Sequence, residues 1–168
     1  MIVEIRAAVL IASDSRSAGQ REDLAGPAAA TALRRIDIDT DCVEVVPDDE
    51  DIIATRLQVL SLKDDISLIL TSGGTGLSPR DVTPEATRRV VEREVPGIPE
   101  MLRQKSAALT PMAALSRGTA GILNRTLIIN LPGSPKAVAE SISFLSPILP
   151  HAIETVLGRA EECGRSRS

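Results

Sequence analysis

The sequence predicts an α/β fold: a three-layer sandwich in which helices cover both faces of a mostly parallel central sheet. Two observations support this prediction. Short apolar, β-rich runs alternate along the chain with longer helical runs. Polar or glycine-rich segments follow the predicted strands, at the ends where parallel sheets bind their ligands. With 168 residues, the chain is long enough for one such domain and too short for two of ordinary size.

Local patterns justify each element in chain order. Strands are predicted at EIRAAVLIA, TDCVEVV, ISLILT and TLIINL. Helices are predicted at GPAAATALRRI, DDEDIIATRLQVLSL, PEATRRVVERE, IPEMLRQKSAAL and SPKAVAESISFLSPILPHAIETVL, the last broken by Pro147 and Pro150. Thr83 is predicted to cap its helix, with Pro84 at the first helical position. We predict one domain over residues 1–160 and a frayed tail over 161–168.

The composition argues against two classes of partner. The chain has one Phe, no Trp, no Tyr and a net charge of −4, whereas nucleic-acid surfaces need basic side chains and often stacking rings. No apolar run is long enough to span a membrane, and the opening strand carries Glu4 and Arg6, unlike a signal peptide. Cys42 and Cys163 are read as free thiols of a reducing compartment, so we predict a cytoplasmic protein. An anionic small-molecule substrate is compatible with this composition, because backbone amides can bind it.

The segment TSGGTG, residues 71–76, follows the third strand. Three glycines in four residues can turn several backbone N–H groups toward one phosphate, although a simple tight turn is an equal alternative. The segment lacks the Lys-Ser/Thr of a Walker loop and the spacing of a dinucleotide fingerprint. Asp81 lies shortly after it, where it could bind Mg²⁺ or merely complement a helix dipole.

Other strand ends carry further candidates. Asp48 directly follows the second strand, whereas the acids at 49–51 are typical of a helix start. In NLPGSPK, Gly133 gives the backbone conformational freedom, and Ser134 can cap a helix. Lys136 could contact a phosphate or be an ordinary surface lysine. Residues 13–23 form a loop that could close over a substrate. His151 is read as structural.

Three of these segments resemble a known family. LILTSGGTGLSPRDVTPEAT, MAALSRGTAGI and LIINLPGSPKAVAE closely resemble the molybdenum-cofactor biosynthesis proteins of the MogA/MoaB type, a domain also found in gephyrin. The resemblance runs from the first strand to the last helix and implies a molybdopterin-binding-type fold. It implies an enzyme that uses ATP and Mg²⁺ to adenylylate molybdopterin and releases pyrophosphate. It also implies a homo-oligomer, usually a trimer and sometimes a hexamer.

The resemblance also assigns site residues. Asp48 and Asp81 match the family's catalytic acids, and both are expected to hold the Mg²⁺. The remaining binding positions are Asp14, Ser15 and Asp23 in the first loop; Ser72, Gly73, Gly74, Thr75 and Gly76 in the nucleotide loop; Pro132, Gly133 and Ser134 beside it; and Ser106, Ser116 and Arg117 near the pterin end. The chain departs from many members at Leu24-Ala25, where a small polar residue and Ser are common.

Two other functions stay open at this point. One is a competence-damage-type enzyme that processes nucleotides, against which the GGTG…RDVTPEAT pattern speaks. The other is a non-catalytic molybdopterin-binding or scaffold paralogue, against which the presence of both candidate acids speaks. Under the enzyme hypothesis, catalysis is positioning and charge neutralisation of two mutually repelling anions, so no catalytic base is needed.

Overall fold

The structure, a computed structural model, describes residues 5–159. The strands are β1 (Arg6–Ala12), β2 (Asp39–Val46), β3 (Ile66–Ser72), β4 (Arg93–Glu94), β5 (Ala120–Leu123) and β6 (Thr126–Leu131). The α-helices are α1 (Asp14–Ser17), α2 (Ala25–Arg34), α3 (Glu50–Ser61), α4 (Thr83–Val90), α5 (Gly97–Ala107), α6 (Pro135–Leu145) and α7 (Leu149–Val156), and a short 3-10 helix covers Pro111–Leu115.

All six strands form one sheet in the order β2-β1-β3-β6-β5-β4. The first four strands of that order run parallel, whereas β5 and β4 are antiparallel to their neighbours. From β1 the chain passes outward to β2 and then returns to the other side of β1 to form β3. The strand order therefore reverses between β1 and β3, the point at which open α/β sheets bind ligands.

Two apolar cores, one on each face of the sheet, make the predicted three layers. Along β1, Ala7, Val9 and Ile11 face one core, and Ala8 and Leu10 face the other, as the two-residue period of a strand requires. Helices α2, α5, α6 and α7 cover the first core, and α3 and α4 cover the second. The α/β sandwich with a mostly parallel sheet is thus confirmed.

The central strands are buried on both faces, and the edge strand is not. Every residue of β3 and of β6 is buried. In β2 exposed and half-buried residues alternate up to the buried Val46, because this strand is one edge of the sheet. The four predicted strands are present, and the two antiparallel strands were missed.

The missed strands explain one wrong helix prediction. Residues 91–94 were predicted to continue the helix of PEATRRVVERE, but α4 ends at Val90. Arg93 and Glu94 pair instead with β5, and the amide of Glu92 donates to the carbonyl of Ile122 at 2.8 Å. Sheet pairing across the molecule overrides the local helical pattern here.

Two helix starts differ from those predicted from the sequence. Thr83 is not the cap of α4: Val82 holds that position without a side-chain capping bond, and Thr83 is the first helical residue. Residues 14–17, predicted as loop, form the single helical turn α1. The break between α6 and α7 is confirmed, with Pro150 in the first turn of α7.

Some predictions extend beyond the described residues. The start of the first strand at Glu4, the domain limits of 1–160, the tail at 161–168 and Cys163 all involve residues outside 5–159. Within that range, no helix combines the length and the apolar character that crossing a bilayer would require.

Candidate active site

Four loops meet at the carboxyl edge of the parallel strands. They follow β1, β2, β3 and β6, and the last two touch closely. Ser72 donates through Oγ to the carbonyl of Pro132 at 2.9 Å, and the amide of Gly73 donates to the carbonyl of Leu131 at 3.3 Å. The loop at 132–134 therefore lies directly against the glycine loop, and the structure brings these two predicted segments together.

Glycine is required at two positions of the loop at 73–76. Gly73 and Gly74 have φ values of 94° and 64°, in the left-handed region. A Cβ on Gly73 would lie 2.4 Å from the carbonyl oxygen of Ala12, and one on Gly74 would lie 2.3 Å from Thr83 Oγ1 and 3.2 Å from Asp48 Oδ1. The loop is thus pressed against β1 on one side and against two side-chain oxygens on the other.

The two candidate acids lie at the two ends of the glycine loop. Asp48 Oδ1 faces Gly74, whereas Asp81 Oδ2 faces Gly76, where a Cβ would lie 2.8 Å from it. Asp81 Oδ2 also accepts from the amide of Ser78 at 3.0 Å. The two carboxylates are close enough for the charge of Asp81 to raise the pKa of Asp48. The arrangement places two acids and the loop on one side of the molecule.

Asp48 forms two hydrogen bonds with Asp14, the first residue of α1. The amide of Asp14 donates to Asp48 Oδ2 at 2.9 Å, and the amide of Asp48 donates to Asp14 Oδ1 at 3.0 Å. Arg80 grips Asp14 with two bonds, of 3.0 Å from Nε and 2.9 Å from Nη2. Three predicted site segments are therefore joined by one hydrogen-bonded unit.

This unit gives its two acids opposite pKa shifts. Burial raises the pKa of Asp48, and the neighbouring charges of Asp14 and Asp81 add to that rise. The hydrogen bond from the Asp48 amide lowers the pKa of the exposed Asp14, with help from Arg80. The surroundings therefore favour the protonated form of Asp48 and the ionised form of Asp14.

Three buried polar atoms without a partner lie at this edge, those of Arg16, Asp48 and Thr83. Within residues 5–159, five buried side-chain N or O atoms have no hydrogen-bond partner: Arg16 Nε, Thr40 Oγ1, Asp48 Oδ1, Thr83 Oγ1 and Glu85 Oε2. Asp48 and Thr83 face Gly74, and Arg16 reaches the carbonyl of Gly133 through Nη2 at 3.5 Å. Buried polar atoms are normally paired, so these three mark the edge as a candidate ligand site.

The residues at this edge suit Mg²⁺. Asp48 offers a buried, unpaired carboxylate oxygen, and hard oxygen ligands are the ones that Mg²⁺ prefers. No group of three or more His, Cys, Asp or Glu side chains able to hold a metal is present among the described residues. Mg²⁺ commonly uses one or two carboxylates together with substrate phosphates and water, so two acids beside a candidate phosphate-binding loop fit this ion.

Arg117 fastens the glycine loop from the outside. Its Nε donates to the carbonyl of Gly76 at 2.7 Å and its Nη2 to the carbonyl of Asp81 at 2.6 Å. Its Nη1 forms an ion pair with Glu85. Burial would raise the pKa of Glu85, but the bond and charge of Arg117 outweigh it, so the pKa is lowered. All three guanidinium nitrogens of Arg117 therefore bind groups of the protein itself.

We expect Arg117→Gln to lower the free energy of unfolding by about 2 kcal/mol, because it leaves two carbonyls and one carboxylate without their donor. Urea denaturation measures the change. Arg89→Gln is the matched control, since Arg89 pairs with Glu50 and Asp51 on the exposed surface, where ion pairs contribute little. Equal losses in both variants would contradict the fastening role.

A cavity adjoins the glycine loop. It has a volume of about 280 Å³ and is mainly apolar, and its lining includes Thr75, Gly76, Ser106, Ser116 and Pro132. Ser106 and Ser116 were predicted near the pterin end, and they do share a cavity with the nucleotide-loop residues. The structure thus places the two predicted halves of the site side by side.

The other predicted residues have local structural partners. Asp23 Oδ1 accepts from the amides of Ala25 and Gly26 at the start of α2, and Ser15 lies 3.3 Å from Ser13 through their hydroxyls. Ser134 caps α6, as predicted, by accepting from the amide of Ala137 at 3.2 Å.

Lys136 and His151, which the sequence analysis also considered, both lie on the surface. The side chain of Lys136 is 87% exposed and lies 3.8 Å from Glu140, one turn further along α6, as in an ordinary surface ion pair. His151 is exposed on α7.

Sequence reasoning missed four residues of the site: Arg16, Arg80, Thr83 and Glu85. The two arginines had a usable signal, because basic side chains in strand-end loops suit an anionic ligand. Thr83 was assigned to helix capping, and nothing local marks Glu85 as the partner of an arginine 32 positions away.

The fold and this edge define an α/β protein with a candidate ligand site at the carboxyl ends of its parallel strands. The chain belongs to the family described as probable molybdopterin binding domain, whose sequence pattern matches residues 8–151. It is 40% identical over 156 residues to a molybdopterin adenylyltransferase of Helicobacter pylori, covering 92% of this chain and 89% of that protein.

Longer relatives contain the same domain. The molybdenum cofactor synthesis protein cinnamon of Drosophila melanogaster is 42% identical over 149 residues, which is 88% of this chain and a quarter (25%) of that protein. Gephyrin of Dictyostelium discoideum is 41% identical over 86% of this chain and 21% of its own length. The predicted resemblance to the MogA/MoaB type and to gephyrin is confirmed.

Solved structures agree with the fold. The molybdopterin biosynthesis enzyme MoaB of Thermus thermophilus superposes with a TM-score of 0.86 at 46% identity, covering 92% of this chain and 97% of that one. The CinA protein of Thermoplasma acidophilum superposes with a TM-score of 0.65 at 20% identity, covering 84% and 96%. The second likeness shows a shared fold alone.

Proposed function

We propose that this chain is a molybdopterin adenylyltransferase, which transfers the adenylyl group of ATP to molybdopterin and releases pyrophosphate. The observation that carries the proposal is the unpaired, buried oxygen of Asp48 beside the glycine loop, at a shared edge with Asp81. The relative from Helicobacter pylori that bears this name is similar over 89% of its length.

The reaction joins two anions. A terminal phosphate oxygen of molybdopterin attacks the α-phosphorus of ATP, the bond from that phosphorus to the bridging oxygen of the β-phosphate breaks, and pyrophosphate leaves. Two unit charges in contact repel by roughly 1 kcal/mol in water and by more in a less polar site. The residues of the chain must therefore align the reactants and offset their charge.

Each part of the edge supplies one of these needs. The amides of residues 74–76 would bind phosphate oxygens, as backbone nests do, whereas the Gly73 amide already donates to Leu131. Asp48 and Asp81 would hold Mg²⁺, which when bound neutralises triphosphate charge. Arg16 adds positive charge from a half-buried position beside Gly133. Arg80 offers a second guanidinium at the rim, held by Asp14.

The adjoining cavity is the proposed place of the pterin. Ser106 and Ser116 line it together with Thr75 and Gly76, so a ligand there would lie beside the nucleotide loop. Asp14, Ser15, Asp23, Ser72, Pro132, Gly133 and Ser134 are proposed to complete the substrate site. By family resemblance we also propose a cytoplasmic homo-oligomer, a trimer or hexamer, which light scattering of the purified protein would test.

Pyrophosphate release, measured with Mg²⁺-ATP in the presence and absence of molybdopterin, tests the proposal. We expect release only when molybdopterin is present. Release that is independent of molybdopterin would contradict the proposal in favour of a nucleotide-processing enzyme. Binding of molybdopterin without binding of Mg²⁺-ATP, observed by calorimetry, would contradict it in favour of a carrier or scaffold.

The pH at which activity falls on the acid side of the pH profile, its acid limb, should shift with the charges around Asp48. The ionised carboxylate is the form that binds a cation, and its pKa is raised by burial, so activity should fall at a higher pH than for an ordinary aspartate with a pKa of about 4. Asp14→Asn removes a like charge and should move the limb to lower pH. Arg80→Gln removes an opposite charge and should move it to higher pH.

The pH dependence of kcat/KM for pyrophosphate release measures both shifts. The two substitutions serve as controls for each other, because a general disturbance of the loops would move both limbs in the same direction. If the acid limbs of both variants coincide with that of the parent, Asp48 does not control the pH dependence of the activity.

A further inference from the structure

The hydroxyl of Thr83 is the least explained polar group near the site. Thr83 is fully buried, at 0% exposure, and its Oγ1 has no hydrogen-bond partner among residues 5–159. It does not cap α4, since Val82 occupies that position. A buried hydroxyl without a partner destabilises the folded protein, so it calls for a role in binding.

Neighbouring buried hydroxyls are fully used, which sets Thr83 apart. Thr87, one turn further along α4, donates to the carbonyl of Thr83 at 2.9 Å and accepts from Asn130 Nδ2 at 2.9 Å. The same amide donates to Thr71 Oγ1 at 2.9 Å. The polar network beneath the loop is therefore satisfied without the Thr83 hydroxyl.

The Thr83 hydroxyl and the Asp48 carboxylate face the same point. A Cβ on Gly74 would lie 2.3 Å from Thr83 Oγ1 and 3.2 Å from Asp48 Oδ1, and both oxygens are buried and unpaired. A hydroxyl can donate and a carboxylate oxygen can only accept, so the two are complementary. They are not bonded to each other, and one small bridging group satisfies both.

We propose that Thr83 is a positioning residue for the metal and nucleotide: its hydroxyl holds a water molecule, free or bound to the metal, against Asp48 Oδ1. This proposal rests on the proposed function of the same edge. Water bridges of this kind cost little and are common in active sites. Because Gly74 has no side chain, both oxygens can lie this close to its Cα and to each other.

The test compares three variants. Thr83→Val keeps the shape of the side chain and removes the hydroxyl, Thr83→Ser keeps the hydroxyl, and Thr87→Val removes a hydroxyl that has partners. Calorimetric titration of Mg²⁺ into protein with ATP, without molybdopterin, compared with the same titration of ATP alone, gives the metal affinity at the site, and thermal melting without ligands gives the stability.

We expect Thr83→Val to weaken Mg²⁺ affinity about tenfold or more, with Thr83→Ser close to the parent. The melting temperature of Thr83→Val should be unchanged or higher by about 2–4 °C, because an unpaired buried hydroxyl is removed. Thr87→Val should melt at a lower temperature and bind Mg²⁺ as the parent does. This contrast separates positioning from an ordinary structural role.

Three results would overturn the proposal: parent-like Mg²⁺ affinity in Thr83→Val, failure of Thr83→Ser to keep that affinity, or a melting temperature of Thr83→Val as low as that of Thr87→Val. Absence of Mg²⁺-ATP binding in the parent would overturn both this proposal and the proposed function. Parent-like Mg²⁺-ATP binding in Thr83→Val, with intact pyrophosphate release in the parent, would overturn the role of Thr83 alone.

Discussion

Asp48→Asn is expected to lower turnover about a hundredfold or more without lowering the melting temperature. The substitution removes the charge of a proposed metal ligand, a contribution of several kcal/mol to the barrier. Burial raises the folded-state pKa of Asp48 above its unfolded value, so this group stabilises the fold at low pH, and that contribution is lost as pH rises through the folded pKa. At pH 7 a neutral Asn should therefore leave the fold as stable or more so.

Asp81→Asn should also lose activity and keep its fold. Its side-chain oxygen accepts from the amide of Ser78, and the amide oxygen of Asn can accept the same bond. Pyrophosphate release and thermal melting at pH 7 measure both variants.

Asp49→Asn is the matched control for the loss of a carboxylate. Asp49 is the neighbour of Asp48 and caps α3 by accepting from the amide of Ile52 at 3.0 Å, a role that Asn fulfils equally well. It should retain both activity and stability. Parent-like turnover in Asp48→Asn would exclude Asp48 from the reaction, and equal losses in all three variants would point to general damage.

Gly74→Ala is expected to abolish detectable turnover. Its Cβ would lie 2.3 Å from Thr83 Oγ1 and 3.2 Å from Asp48 Oδ1, so the loop or both side chains must move. The φ of 64° adds backbone strain of about 1–2 kcal/mol. Mg²⁺-ATP binding by calorimetry and pyrophosphate release would both report the loss.

Gly19→Ala separates the strain from the clash. Gly19 has a similar φ of 71°, but nothing lies within 4 Å of a Cβ placed there. This variant should lose about 1 kcal/mol of stability and keep most of its activity. Activity in Gly74→Ala equal to that of Gly19→Ala would show that the contact with Asp48 and Thr83 is unimportant.

Much of the fold and of the position of the site could be predicted from local patterns. The solid apolar runs of β1, β3 and β6 predicted buried parallel strands, and the glycines and acids after them were expected at one edge. The structure brings Asp48, Asp81 and the glycine loop together there. This worked because strand direction alone dictates which ends meet.

The rest depended on contacts that no local pattern reveals. β4 has only two residues, and its pairing with β5 outweighs a helical sequence pattern. The bonds from Arg117 to Gly76, Asp81 and Glu85 link positions more than 30 residues apart. Thr83 precedes a proline as a capping residue should, and only the three-dimensional structure shows that its hydroxyl faces Asp48.

The loops of the site are attached to the most deeply buried strands of the sheet. Segments 73–76 and 132–134 continue directly from β3 and β6, whose residues are all buried, and bonds between the segments tie them to each other. The amide hydrogen of Gly73, which donates to the carbonyl of Leu131, should consequently exchange with solvent about as slowly as those of the central strands. In rising denaturant, we expect ligand affinity and secondary structure to disappear over the same narrow concentration range, without a folded but inactive intermediate.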